Sequence, residues 1–169
     1  MDRRAMLAAF GAVGAGAGLV ALSSAPVLAQ SRTPRELAEA FAKTLSAHDT
    51  EALGDLFADD YVNHQVSAAA PRPAQGVTPK QGVVGFYSAR LKGMPDLSVS
   101  IEAMLATEDY CAASYVYTGT HKDVYLGVPA TGKSLRFTSC DIFRVANGKF
   151  AEHWGMGDIA GQLAQLKGA

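Results

Sequence analysis

The sequence predicts an α+β fold in which helices come first and an antiparallel sheet follows them. In the first half, apolar residues such as Leu37, Phe41 and Leu45 recur four positions apart, the spacing of one helix face. From position 97 onward apolar residues alternate with polar or small ones, which is the period of a half-buried strand. Asn147-Gly148, between two such runs, predicts a two-residue hairpin.

Each predicted helix has a start signal. Thr33 and Glu36 have the spacing of a capping box, with proline at the first helical position between them. Asp49 can cap a short second helix that carries Leu53, Leu56 and Phe57. A second box over residues 78–81 begins the third helix, whose predicted inner side is Val83, Val84, Phe86, Tyr87 and Leu91.

Two non-helical segments lie between the second and third helices. Residues 61–65 are predicted to form a short strand. Residues 67–77 contain three consecutive alanines, two prolines and a glycine, which is loop composition. We expect a surface insertion there, with a flap over a pocket as the alternative.

The strand over residues 135–145 places an aspartate among apolar side chains. Its odd positions put Asp141 on the same side as Leu135, Phe137, Phe143 and Val145. An ionised, unpaired carboxylate there would lose several kcal/mol of solvation, so Asp141 must be hydrogen-bonded, protonated or facing a cavity. A hairpin at 147–148 with regular register pairs Asp141 with Trp154, which could form an aromatic wall for a substrate or a hydrogen-bond partner for the carboxylate.

Other polar residues are candidates for the same site. The regular register places His153 on the opposite face with Ile142, unless a bulge intervenes. Asn63 and His64 are neighbours at a strand end, so only one can enter a pocket. His121 closes the preceding strand and could act as an acid or stabilise an oxyanion. Phe143 and Tyr117 are expected in the pocket wall.

Composition excludes several classes of protein. The chain has 15 basic and 16 acidic residues, a balance that predicts neither nucleic-acid binding nor attachment to an anionic membrane. Its four histidines and two cysteines lack metal-ligand spacing, so no metal is expected. Cys111 and Cys140 are predicted on opposite faces of the sheet, which disfavours a disulfide between them.

The first 29 residues are predicted to be an export signal. Arg3 and Arg4 precede a glycine- and alanine-rich apolar run, and small residues stand before a cleavage point after Ala29. The paired arginines resemble a twin-arginine signal, which implies a periplasmic or extracellular protein with no stable membrane span after processing. An uncleaved membrane anchor is the alternative. Residues 30–169 would then form one domain.

Several motifs together resemble the SnoaL-like polyketide cyclases, also called ester cyclases. They are residues 61–64, 95–97, 119–121, 126–133, 141–145, 147–149 and 152–155. The resemblance implies a cone-shaped barrel of the nuclear transport factor 2 type, with helices packed in the curled sheet around a deep pocket. It also implies cofactor-free aldol closure with Asp141 as the acid/base, His121 and Asn63 as its pocket partners, and homodimerisation through the outer sheet face.

The sequence therefore predicts an exported enzyme acting on a small hydrophobic substrate that contains a carbonyl group. Asp141 would remove a proton next to the carbonyl, and His121 or Asn63 would stabilise the enolate oxygen. A dehydratase or double-bond isomerase using the same aspartate is an alternative. So is a non-catalytic protein that binds a hydrophobic small molecule in the same pocket.

Overall fold

The computed structural model describes residues 31–65 and 72–168. The first helix, α1 (Pro34–Ser46), begins at the predicted capping box. The Thr33 hydroxyl accepts the Glu36 N–H, and the Glu36 carboxylate accepts the Thr33 N–H at 2.8 Å. The predicted stripe of Leu37, Phe41 and Leu45 is fully buried. The predicted export segment lies outside the described residues, and export stays a prediction.

The second helix is shorter than predicted. Asp49 caps α2 (Thr50–Asp55) as expected, but the chain then enters strand β1 (Phe57–Asn63). Placing Phe57 in the helix was therefore wrong, and so was starting the strand at Tyr61. Phe57 is instead paired with Phe150 in a parallel ladder. A long-range pairing of two core aromatics overrides the local helix pattern, because strand pairing depends on residues distant in sequence.

The remaining elements follow the predicted order. Thr78 caps α3 (Pro79–Gly93), again through a capping box. Four strands then follow, β2 (Ser98–Ala106), β3 (Tyr110–Thr120), β4 (Ser134–Ala146) and β5 (Lys149–Gly157). The chain ends in α4 (Ile159–Lys167), which Asp158 caps.

The five strands form one sheet in the order β1-β5-β4-β3-β2. Among the strand pairs in the described segments, β1–β5 is parallel and the other three are antiparallel. Helix α1 packs against β2, β3 and β4, whereas α3 packs against β1, so both helices cover the inner face of the curled sheet. The α+β prediction is confirmed, and the arrangement is that of a nuclear transport factor 2-type cone. The core lies between the helices and this inner face.

A bulge in β5 changes the predicted register. Ala146 pairs with Lys149, and Asn147 and Gly148 have the positive φ values that the hairpin turn requires. Ala151 is then an extra residue, so that Asp141 lies opposite Gly155 and Ile142 lies opposite Trp154. The predicted pairing of Asp141 with Trp154 was therefore wrong. With the bulge, Phe150 and His153 both point inward while Glu152 stays half-exposed on the outer face.

The outer face of the sheet is partly apolar. Ile142, Trp154 and Met156 are exposed there, on two paired strands. Dimerisation through this face stays a prediction. Cys111 is buried and Cys140 is exposed, so the two cysteines lie on opposite faces as expected, and both are free thiols. Among the described residues no helix is long and apolar enough to cross a membrane.

Candidate active site

The bulge brings an aspartate and a histidine together on the inner face of the sheet. Asp141 on β4 is 3% exposed and His153 on β5 is 5% exposed. His153 Nε2 lies 2.8 Å from Asp141 Oδ1. The structure therefore places His153 beside Asp141, on the face that the regular register had excluded.

Asn63 determines where the protons of this pair lie. Its Oδ1 accepts the backbone N–H of Gln65 at 3.0 Å and lies 3.0 Å from His153 Nδ1. Because this oxygen can only accept, the hydrogen-bond network assigns a hydrogen to Nδ1. The Asp141–His153 contact then holds one further proton. It is either a carboxylate paired with an imidazolium or a carboxylic acid paired with a neutral imidazole.

The second carboxylate oxygen is also satisfied. Ser139 Oγ donates to Asp141 Oδ2 at 2.5 Å, and the Tyr117 hydroxyl lies 3.5 Å from the same Oγ. Burial raises the pKa of Tyr117 to about 12, although the guanidinium of Arg90 opposes the shift. Tyr117 is therefore a neutral phenol at physiological pH. Hydrogen bonds to both oxygens explain how Asp141 is accommodated among apolar side chains.

Gly155 leaves the space that the pair occupies. It lies directly opposite Asp141 in the ladder. A Cβ atom at this position would overlap both Asp141 Oδ1 and His153 Nε2. Only glycine therefore allows the carboxylate to meet the imidazole in this geometry.

A mainly apolar cavity of about 390 Å³ lies against His153 and Asn63. Its wall is built by α3, by the end of β1 and by residues 72–77, and it includes Pro73, Val77, Val83, Phe86 and Tyr87. Residues 72–77 are exposed, as expected of a surface segment, and four of them also line the cavity, which agrees with the alternative of a flap over a pocket. Asp141 is not part of the wall, because its neighbours enclose it. His153 is the member of the pair that lines the cavity.

Phe143 and Tyr117 lie close to the pair, but neither is among the described residues that line the cavity, where the sequence had placed them. Phe143 stacks on the His153 ring, with centroids 4.7 Å apart. Trp154 is 37% exposed and stacks on His64 at 4.4 Å, on the outside of the sheet. His64 Nε2 lies 2.7 Å from a carboxylate oxygen of Glu152 there. His64 and Trp154 were expected to bind substrate, but the bulge turns the indole outward, and Asn63 is the neighbour that enters the pocket.

His121 is buried but distant from the pair. Asp141 pairs with Ala113, and His121 lies eight residues further along the chain, roughly 26 Å in an extended strand. Its Nδ1 accepts the backbone N–H of Thr131 at 3.2 Å, and its Nε2 has no partner among the described residues. The structure therefore does not bring His121 to Asp141.

Arg90 is a buried residue that the sequence interpretation missed. Its side chain on α3 is 5% exposed, and its Nε donates to the Tyr125 hydroxyl at 3.1 Å. The only available signal was its position seven residues after Val83, which places a charge on the inner stripe of the helix. No Asp or Glu of the described segments lies within 4 Å of it.

Comparison with protein families agrees with this architecture. The family model of the SnoaL-like polyketide cyclases matches residues 35–166. The chain belongs to the SnoaL-like polyketide cyclase family. The resemblance drawn from the sequence motifs is thus confirmed. No curated protein matches this SnoaL-like chain.

Solved structures show the same fold. IdmH of Streptomyces antibioticus, named as a candidate polyketide cyclase, is 28% identical with a TM-score of 0.67, over 79% of this chain and 98% of its own. AclR of Streptomyces galilaeus, named as a candidate hydroxylase, is 23% identical with a TM-score of 0.67, over 80% and 96%. A candidate cyclase of Acidithiobacillus ferrooxidans is 22% identical with a TM-score of 0.68, over 84% and 99%. Because these names differ, the fold alone does not identify the reaction.

Proposed function

We propose that this chain is a cofactor-independent enzyme that transfers protons between carbon and oxygen of a small carbonyl compound, as an intramolecular aldol closure requires. Its place in the SnoaL-like family supports the general class. The observation that carries the proposal is the buried Asp141–His153 pair, whose histidine lines an apolar cavity. A buried acid–base pair next to such a cavity is a typical arrangement for proton transfer.

The hydrogen bond between His153 and Asn63 defines where a substrate oxygen would bind. Both residues line the cavity, and His153 Nδ1 donates to Asn63 Oδ1. A carbonyl oxygen that replaces this acceptor would receive the same N–H and be polarised by it. Asp141, behind the ring, would stabilise the positive charge of the imidazolium and hold the ring in place.

The aldol closure needs no proton donor or acceptor other than His153. His153 Nδ1 delivers one proton to the oxygen that becomes a hydroxyl. The same nitrogen collects one proton from the carbon that forms the new carbon–carbon bond. The pair ends in its starting state, and nothing is oxidised or reduced. General acid–base catalysis of this kind contributes about 10²- to 10⁴-fold in rate.

Deuterium exchange tests the proposal without knowledge of the natural substrate. We expect the wild-type protein to accelerate deuterium incorporation next to the carbonyl of 1-tetralone in D₂O, followed by proton NMR. Asp141→Asn keeps the shape of the side chain but cannot balance an imidazolium, so the acceleration should fall about 10²-fold or more. Asp60→Asn makes the same chemical change on an exposed carboxylate of β1 and should have no effect.

The binding-only alternative predicts a different result. In that case 1-tetralone would bind equally well to wild type and Asp141→Asn, and neither protein would accelerate exchange. Equal acceleration by the two proteins would instead remove Asp141 from the mechanism. A wild-type acceleration lost in Asp141→Asn supports the enzyme.

A further inference from the structure

The proposed reaction needs a hydrogen-bond donor in addition to His153. While His153 Nδ1 accepts the proton from carbon, it has no hydrogen to donate to the oxygen that becomes negative. The Asn63 oxygen that faces His153 is an acceptor and cannot serve either. A negative oxygen in an apolar cavity is costly unless a donor is aimed at it. The donor must therefore come from another residue of the cavity wall.

Tyr87 on α3 is a buried residue of the cavity wall that carries a polar group. The described lining contains two buried side chains of this kind, His153 at 5% exposure and Tyr87 at 6%. The other polar residues of the described lining are half-buried or exposed, and they are Asn63, Gln65, Arg72 and Gln81. Tyr87 and His153 therefore share the enclosed part of the cavity.

The hydroxyl of Tyr87 is available to a ligand. Among residues 31–65 and 72–168, the enclosed side-chain polar atoms without a hydrogen-bond partner are the Tyr61 hydroxyl and His121 Nε2. The Tyr87 hydroxyl is not one of them, and within the same segments it donates only a weak hydrogen bond to Tyr117, which has a minor effect on the pKa of Tyr117. Because so little of the side chain is exposed and it lines the cavity, the open space that its hydroxyl meets is the cavity.

Tyr87 is a neutral phenol at physiological pH and therefore a hydrogen-bond donor. Burial, followed by the neighbouring Tyr117 and Asp141, raises the pKa of Tyr87 well above its ordinary value. Arg90 opposes this shift, and its guanidinium carbon lies 5.3 Å from the centre of the Tyr87 ring. The same positive charge favours a negative oxygen bound to the Tyr87 hydroxyl, since electrostatic effects are stronger in a buried site.

We propose that Tyr87 is a further catalytic residue, whose hydroxyl donates a hydrogen bond to the enolate oxygen of the substrate while His153 moves the proton. His153 Nδ1 takes the proton from carbon, the C–H electron pair forms the new C=C bond, and the π pair of the carbonyl moves to oxygen. Tyr87 keeps its own proton throughout, so the proton balance of the reaction is unchanged. This inference rests on the proposed function, but binding of a negative oxygen by Tyr87 can be measured without turnover.

Tyr87→Phe removes the hydroxyl and keeps the ring. In the deuterium-exchange assay with 1-tetralone, its acceleration should fall about 10²-fold relative to wild type, because losing one donor to a developing negative oxygen costs about 10²- to 10³-fold in rate. Tyr61→Phe is the matched control. It removes a buried hydroxyl that is also close enough to Asp141 for the carboxylate, after burial, to raise its pKa, but Tyr61 does not belong to the described cavity lining. Exchange by Tyr61→Phe should equal that of wild type.

Binding of 1-naphthol tests the same hydrogen bond without any reaction. 1-Naphthol carries its oxygen where the enol of 1-tetralone does, and its ionised form is a stable mimic of the enolate. Its absorbance changes on ionisation, so a pH titration measures the pKa of the bound molecule. A donor to the anion lowers this pKa, so the pKa of 1-naphthol should be at least about one unit higher in Tyr87→Phe than in wild type, a tenfold change in ionisation. Tyr61→Phe should give the wild-type value.

The two measurements separate failure of this inference from failure of the proposed function. A wild-type pKa of 1-naphthol bound to Tyr87→Phe overturns the inference, and so does an equal effect of Tyr61→Phe. Absence of exchange in wild type would instead remove the proposed reaction, and the pKa of bound 1-naphthol would still decide whether Tyr87 binds a negative oxygen. If Tyr87→Phe does not fold, the Cζ signal of Tyr87 in ¹³C-labelled wild type should shift when ionised 1-naphthol binds, and an unchanged signal contradicts the inference.

Discussion

Replacing Gly155 by alanine should separate Asp141 from His153. The added Cβ would overlap Asp141 Oδ1 and His153 Nε2, so the 2.8 Å contact between them cannot persist. Both side chains are almost completely buried, and solvent cannot replace the lost partner. The chain must then leave two buried polar groups unsatisfied or shift two paired strands.

The size of the destabilisation caused by Gly155→Ala can be worked out from these lost contacts. Leaving a neutral buried partner unsatisfied costs about 1–3 kcal/mol, and breaking a buried ion pair costs about 3–5 kcal/mol. We therefore expect Gly155→Ala to lower the free energy of unfolding by about 2–4 kcal/mol. For a domain of this size that corresponds to a fall in Tm of roughly 6–16 °C. Urea denaturation followed by circular dichroism measures the first quantity, and calorimetry measures the second.

Gly85 provides a matched control. It lies on an exposed part of α3, where an added Cβ meets nothing within 4 Å. Gly85→Ala should stabilise the protein by about 0.5–1 kcal/mol, because alanine is the better helix former. The reasoning is refuted if Gly155→Ala unfolds within about 0.5 kcal/mol of wild type and the imidazole nitrogen shifts of His153 are unchanged by NMR.

Two further outcomes are expected on the outer face and at the thiols. Two hydrogen bonds lower the pKa of the Glu152 carboxylate, the larger effect coming from His64 and the smaller from Arg144. Ionised Glu152 therefore stabilises the folded protein at pH values above the ordinary glutamate pKa, and this stabilisation is lost as the pH falls through the lowered pKa. In urea titrations at different pH values, the free energy of unfolding of Glu152→Gln should therefore fall less on acidification than that of wild type. An equal fall in the two proteins would contradict this. Burial raises the pKa of Cys111 to about 11, whereas Cys140 is exposed. At about pH 8 a disulfide reagent should label only Cys140 in the native protein, and rapid labelling of both thiols would show the assignment to be wrong.

The errors in the sequence interpretation share one cause. Alternation along β4 correctly placed Asp141 on the buried face, because that pattern lies within one strand. Its partner depended on a single extra residue, Ala151, in the neighbouring strand. A one-residue slip reverses every side chain beyond it, so His153 and Trp154 exchanged faces. The bulge has no local marker in the sequence.

Arg90 shows a second limit of sequence interpretation. A charged residue on the inner stripe of a helix can extend to solvent or stay in the core, and helical spacing does not distinguish these outcomes. Here the rings of α3, β3 and β4 surround the guanidinium, and Tyr125 from the β3–β4 connection holds its Nε. That environment exists only when the three elements are packed together.

The sequence by itself determined the α+β class, the caps of the helices, the hairpin turn and the inward face of Asp141. Each of these depends on neighbours within a few positions, where hydrogen bonds and side-chain periodicity are local. Tertiary structure decided that His153 and not Trp154 meets Asp141 and that His121 lies apart from it. It also decided that Arg90 is buried with no carboxylate within 4 Å among residues 31–65 and 72–168. Those outcomes depend on strand register and side-chain packing between segments that are distant in sequence. The whole core determines which register and packing are most stable.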